Sequence, residues 1–138
     1  MTRRGSLSPV PFVLLLLLAA GCRGDAVDEA PDHEVRISVA PTPPIMGSAR
    51  VVVQLSDGEG LAVENAQVTL IGDMAHPGMT PVEEDLEQEG GGRYATSDFD
   101  FTMGGDWVLS ARIQLPDGRR VERSRSVEVV SLDARDPT

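Results

Sequence analysis

The 138-residue chain has no lysine, one cysteine, one tryptophan, one tyrosine and three phenylalanines. A single thiol cannot form an intramolecular disulfide, so whatever folds here must rest on its apolar core. Without lysine there is no amine nucleophile, and only His33 and His76 can exchange protons near neutral pH. No Ser, His and Asp fall in a nucleophile-elbow or related pattern, and the chain is read as a non-enzyme. Cations are scarce as well: 12 arginines stand against 22 Asp and Glu, a net charge of −10. A field of that sign repels phosphate backbones, and no basic patch with interleaved aromatics offsets it, which argues against nucleic acid as a partner. Long hydrophobic runs are also missing. The longest, Phe12 to Ala20, is about half of the roughly 20 residues a spanning helix needs.

That short run follows Arg3 and Arg4 and leads to Gly21-Cys22, the order of a charged n-region, an h-region and a small-residue cleavage site. Residues 1–21 therefore read as an export signal rather than a membrane span. The string Leu18-Ala19-Ala20-Gly21-Cys22 resembles the lipobox of bacterial lipoproteins, in which the cysteine sulfur is diacylated, the chain is cut before it and the new N-terminus is acylated. The resemblance implies Cys22 as the lipidation site, the membrane as a partner reached through that lipid, and a place in the cell envelope facing the periplasm or the exterior. Several acyl chains, at about 0.8 kcal/mol per buried CH₂, would make such anchoring effectively permanent. Cleavage leaves ten arginines against 22 carboxylates, a net charge of −12.

Residues 22–33 are small and acidic, without apolar periodicity, and are expected to form a tether. Residues 34–131 are one domain's worth of chain, and 132–138 are a short tail. Within the domain, period-two alternation recurs in short runs bounded by turn residues. Val35, Ile37 and Val39 mark a first strand that Pro41 to Pro44 ends. Residues Ala49 to Leu55 mark a second, and Ala66, Val68 and Leu70 a third, stopped at Gly72. A weak fourth is expected within Val82 to Gln88, a fifth from Arg93 to about Phe101, a sixth from Trp107 to Leu115, and a seventh from Arg120 to Val130. Pro116-Asp117-Gly118 gives the last hairpin its turn. The pattern predicts an all-β, immunoglobulin-like antiparallel β-sandwich of about seven strands, monomeric as a domain. Trp107 and Tyr94 are expected in the core, with the tyrosine hydroxyl bonded to backbone.

Three stretches then carry a family resemblance: "GLAVENAQVTL", the methionine-containing "GDMAHPGM", and "GGGRYATSDFDFTMGGDWVLSARIQLPDG". Together they resemble the YtkA-like domain, related to the FixH family, over roughly Ala49 to Val130. The resemblance implies an immunoglobulin-like sandwich outside the cytoplasm with no established reaction. FixH relatives are associated with copper-dependent oxidase assembly and cation handling. They are anchored by a transmembrane helix, whereas this chain carries a lipobox, so an oxidase-assembly role is not carried over.

The acidic run Glu83 to Glu89 lacks the alternating ligands and central glycine of a calcium loop and reads as a solvated loop or edge strand. Asp73-Met74-Ala75-His76-Pro77-Gly78-Met79 is different. Thioether sulfur is soft and suits Cu(I), imidazole accepts either copper state, and hard cations avoid sulfur. If seven strands alternate up and down, the first, third and fifth connections share one end of the sandwich. Met46 lies in the first, Met74, His76 and Met79 in the third, and Met103 in the fifth. Two readings stand open. In one, Met74, His76 and Met79 bind copper, the only cofactor the sequence suggests, with Met103 or Met46 completing the shell. In the other, methionine acts as a pliable filler, and this pole is a hydrophobic plug or the contact for another envelope protein.

Overall fold

The computed structural model describes residues 32–132, so the expected export signal, Cys22 and most of the expected tether lie outside the described residues. Among the described residues, eight strands form two four-stranded antiparallel sheets without a helix: β1 (His33–Ala40), β2 (Gly47–Asp57), β3 (Gln67–Met74), β4 (Val82–Asp85), β5 (Glu87–Gly90), β6 (Arg93–Phe101), β7 (Gly105–Gln114) and β8 (Arg120–Val129). One sheet has the order β1-β2-β6-β5 and the other β4-β3-β7-β8. This is the sandwich the alternation predicts, with one strand more than the expected seven.

Alternate residues of each strand meet between the sheets, because a strand's side chains point to opposite faces. Val35, Ile37 and Val39 of β1, Val51, Val53 and Leu55 of β2, and Leu109, Ala111 and Ile113 of β7 are all buried. Trp107 is 1% exposed and stands edge-on to Phe101, which stands edge-on to Phe99, with ring centroids 5.3 Å and 5.1 Å apart. Each such pair adds about 0.5–1.5 kcal/mol beyond area burial. In β6 the inward positions change parity between Tyr94 and Phe99, and the pairing of β2 with β6 shifts between Ala49 and Val51. The bulge turns both phenylalanines into the core, which strict alternation would not allow.

Two expectations are corrected. The third strand does not stop at Gly72 but runs on to Met74, because this glycine marks a close approach rather than a turn. A Cβ at Gly72 would lie 2.5 Å from Cζ of Phe99, so the ring occupies the missing side chain's place. The weak fourth strand is two strands. Leu86, the one apolar residue among the acids from Glu83 to Glu89, is buried, and its N–H donates to the Val68 carbonyl. Burying it carries the chain from β4 in one sheet to β5 in the other.

Tyr94 closes the corner between β2 and β3. Its hydroxyl donates to the Val63 carbonyl (2.8 Å) and accepts from the Ala66 N–H (3.1 Å), bonding it to backbone as the sequence predicts. Burial raises its pKa above the ordinary 10.0, with the bond from Ala66 opposing and the Glu64 carboxylate reinforcing. The neutral phenol is thus favoured in the folded state. Stability from this group is complete below the unfolded pKa near 10 and is lost as pH rises through the higher folded value. Tyr94 is the chain's only tyrosine, so ultraviolet titration reads it alone. Phenolate absorbance should appear late and together with alkaline unfolding, and Tyr94→Phe should flatten stability against pH above 10. An absorbance midpoint at the ordinary tyrosine value would sink this account.

Candidate functional site

The eight strands preserve the alternation of ends, because β4 and β5 make a single traverse of the sandwich. The segments 41–46, 75–81 and 102–104 therefore lie at one pole, and the connections 58–66 and 115–119 at the other. All four methionines of the described residues and His76 belong to the first pole.

Backbone contacts fix each of them there. The Met46 N–H donates to the Val130 carbonyl (3.1 Å), and the Val130 N–H to the Pro44 carbonyl (2.9 Å), stapling the 44–46 segment beside the end of β8. Gly47 pairs with Phe101, and Gly105 with Val129. Met74, the last residue of β3, pairs with Trp107, and its Cε lies 3.2 Å from where a Cβ on Gly105 would stand. The Trp107 indole N–H donates to the Met103 carbonyl (2.9 Å), so the core tryptophan holds the 102–104 turn in place. In the third connection the His76 N–H donates to the Met74 carbonyl (2.7 Å) and the Met79 N–H to the His76 carbonyl (3.3 Å). That compact turn needs Gly78 at φ +88°.

The five residues differ in access. Met74 is buried in the core, 6% exposed. Met46 and Met79 are half-buried and pack against the core. His76 is exposed, as is Met103 at 42%. Leu132, 59% exposed, follows Val130 and Ser131 at the same end. The pole is therefore a graded apolar surface with a thioether floor and one imidazole at its rim. Thioether and imidazole donors suit copper rather than calcium or magnesium. Among the described residues, no three of His, Cys, Asp and Glu converge as a metal-binding group, a criterion that leaves methionine aside.

The other pole is of mixed character, with Leu61 exposed among charged side chains. Asp32, His33, Asp57, Glu59, Asp117 and Arg119 surround a shallow concavity there. The Arg119 backbone N–H and guanidinium hold the exposed Asp117 carboxylate below its ordinary pKa. The tether expected over residues 22–33 would have ended at His33. This histidine instead opens β1, pairs with Asp57 and is half-buried, and its Nδ1 is enclosed without a hydrogen-bond partner.

Comparison with known proteins gives one positive finding. A family model described as YtkA-like matches residues 28–112, from ahead of β1 into β7. No curated protein matches the chain.

Proposed function

The chain belongs to the YtkA-like family, and from that premise we propose that it is a non-catalytic envelope protein, anchored by lipid at Cys22, that binds Cu(I) at its methionine pole. The observation that carries this reading is that four methionines and the exposed His76, brought from separate parts of the chain, all belong to one end of the sandwich. His76 and Met103 are exposed, Met79 and Met46 are half-buried, and Met74 is buried in the core. His76 is the one imidazole at that end, so it is the ligand whose loss nothing nearby replaces.

Anaerobic Cu(I) titration tests the reading. Wild type should bind tighter than micromolar, and His76→Ala should weaken binding at least tenfold, about 1.4 kcal/mol. Met79→Leu keeps the apolar volume and removes sulfur. It should weaken binding comparably while costing under about 1.5 kcal/mol of stability. Binding no tighter than micromolar in wild type, or unchanged in both variants, would defeat the copper reading. The exposure of Met103 and Leu132 favours a second reading in that event, an apolar contact for another envelope protein. Met79→Asp would then abolish capture of that partner where Met79→Leu preserves it.

A further inference from the structure

The charge of this acidic chain is unevenly placed. Five of the ten arginines of the mature chain fall between residues 112 and 125, in β7, β8 and the hairpin joining them. β8 is one edge of its sheet, and β4, with Glu83, Glu84 and Asp85, is the other. On the edges themselves, β8 carries Arg120, Arg123 and Arg125 against Glu122 and Glu128, a net of +1, and β4 a net of −3, so the two edges of one sheet differ in sign.

Register sharpens this contrast. Across the sheet, Arg123 pairs with Ala111, Ala111 with Leu70, and Leu70 with Glu84, so Arg123 and Glu84 occupy the two ends of one row. Leu70 and Ala111 in that row are fully buried, which places Arg123 and Glu84 at inward-facing positions of their edge strands. Neither joins any of the four ion pairs among the described residues. Inward charges on an edge strand ordinarily block pairing with another chain. To block pairing between copies, however, the two edges would have to share one sign. Opposite signs in the same row favour the contact instead.

We propose that two copies of this chain pair laterally, β8 of one against β4 of the other, with Arg123 facing Glu84. The strand directions permit it. Every neighbouring pair in the sheet is antiparallel, so β4 of a like-oriented copy runs antiparallel to β8 and continues the alternation. The same register sets Ser124 against Glu83 and Arg125 against Val82. It also sets Glu122 against Asp85, where Arg112 already lies 3.7 Å from Glu122 and the Thr69 hydroxyl donates to Asp85. The net charge of the mature chain repels a second copy only weakly beyond a Debye length of about 8 Å at physiological salt, so the local edges decide the contact.

A four-residue edge is too short to hold two domains together in dilute solution, in keeping with a monomeric free domain. Anchoring on one membrane raises the effective concentration, so the proposal rests on the lipid anchor at Cys22. Sheet twist also limits the assembly. Each added copy is turned by four strand steps of about 20–25°, so a third would be nearly inverted. Ten residues separate Cys22 from His33, and a stretched tether of that length spans at most about 33–36 Å. Pairs are the expected product.

The test uses the full-length chain in membranes. Ser124→Cys and Glu83→Cys, both at exposed positions, are expressed separately and together. Directly opposed strand residues have Cα atoms about 4.5–5.5 Å apart, within disulfide reach. Mild oxidation should give a disulfide dimer only on co-expression. Adding Arg123→Glu to the first chain should reduce that dimer at least fivefold, and adding Glu84→Arg to the second as well should restore it. Absence of the mixed dimer while the chain sediments with membranes would overturn the pairing. So would a dimer indifferent to Arg123→Glu, or an adduct of the Ser124→Cys chain with a different protein in place of the mixed dimer. Failure of the chain to sediment with membranes would instead overturn the anchor on which the pairing depends.

Discussion

Replacing Gly92 by alanine should destabilise the domain by roughly 3 to 5 kcal/mol. Two costs add. Gly92 has φ +73°, where an L side chain costs about 1–2 kcal/mol. A Cβ there would also stand 2.3 Å from the Leu55 carbonyl oxygen, a backbone atom that cannot swing aside as a side-chain tip can. Separating them breaks the bond from the Leu55 N–H to the Gly92 carbonyl (2.8 Å) and disturbs the one from the Gly92 N–H to Glu64 (2.8 Å). For a domain of this size the melting temperature should fall by roughly 15 °C. The neighbouring Gly91 is the control. Its φ is +65°, but a Cβ there meets nothing within 4 Å, so Gly91→Ala should cost only about 1–2 kcal/mol. Thermal unfolding followed by circular dichroism separates the two. Equal shifts would mean that the close approach to Leu55 is not what Gly92 provides.

Such close approaches are the part of this fold that sequence reasoning reads least well. Alternation announced the sandwich because half-buried strands must alternate, and β1, β2 and β7 do so along their length. Gly72 looked like a stop because a glycine in a strand and a glycine in a turn are the same letter. Only the ring of Phe99, 27 residues away, tells them apart. Leu86 sits in so polar a run that its single apolar side chain carried little weight, yet its burial moves the chain between sheets. The methionine pole was legible because counting connections needs no strand borders, and the division of the fourth strand left the count of traverses unchanged. How deeply each methionine sits was not legible, since that depends on the reach of Met74 towards Gly105 and Trp107. The basic edge escaped notice because net charge averages over a chain in which five arginines cluster along one hairpin, β7 to β8.

Cys22→Ser should abolish anchoring by lipid, leaving either an unprocessed precursor or a soluble chain. Serine lacks the sulfur that forms the thioether to lipid, and without the acyl chains the apolar attachment at about 0.8 kcal/mol per CH₂ vanishes. An unprocessed precursor, still carrying residues 1–21, or a released soluble chain is the expected product. Mass spectrometry of the N-terminus together with membrane fractionation distinguishes them. A variant still cut after residue 21 and still sedimenting with membranes would show that Cys22 is not the anchor.

The described chain enters at one pole, where β1 begins, and leaves at the other, where β8 ends. A pull on the two ends of the described chain would therefore draw β1 and β8 lengthwise in opposite directions. Strand hydrogen bonds lie perpendicular to such a pull and share it, instead of opening one at a time as in a peeled hairpin. The segment of Pro44 to Met46, bonded to Val130 and bridged in parallel through Ile45, would couple the two ends directly. The sandwich is thus arranged to resist extension along its length, and tension applied at its two poles would be borne by whole strands together before the fold opened.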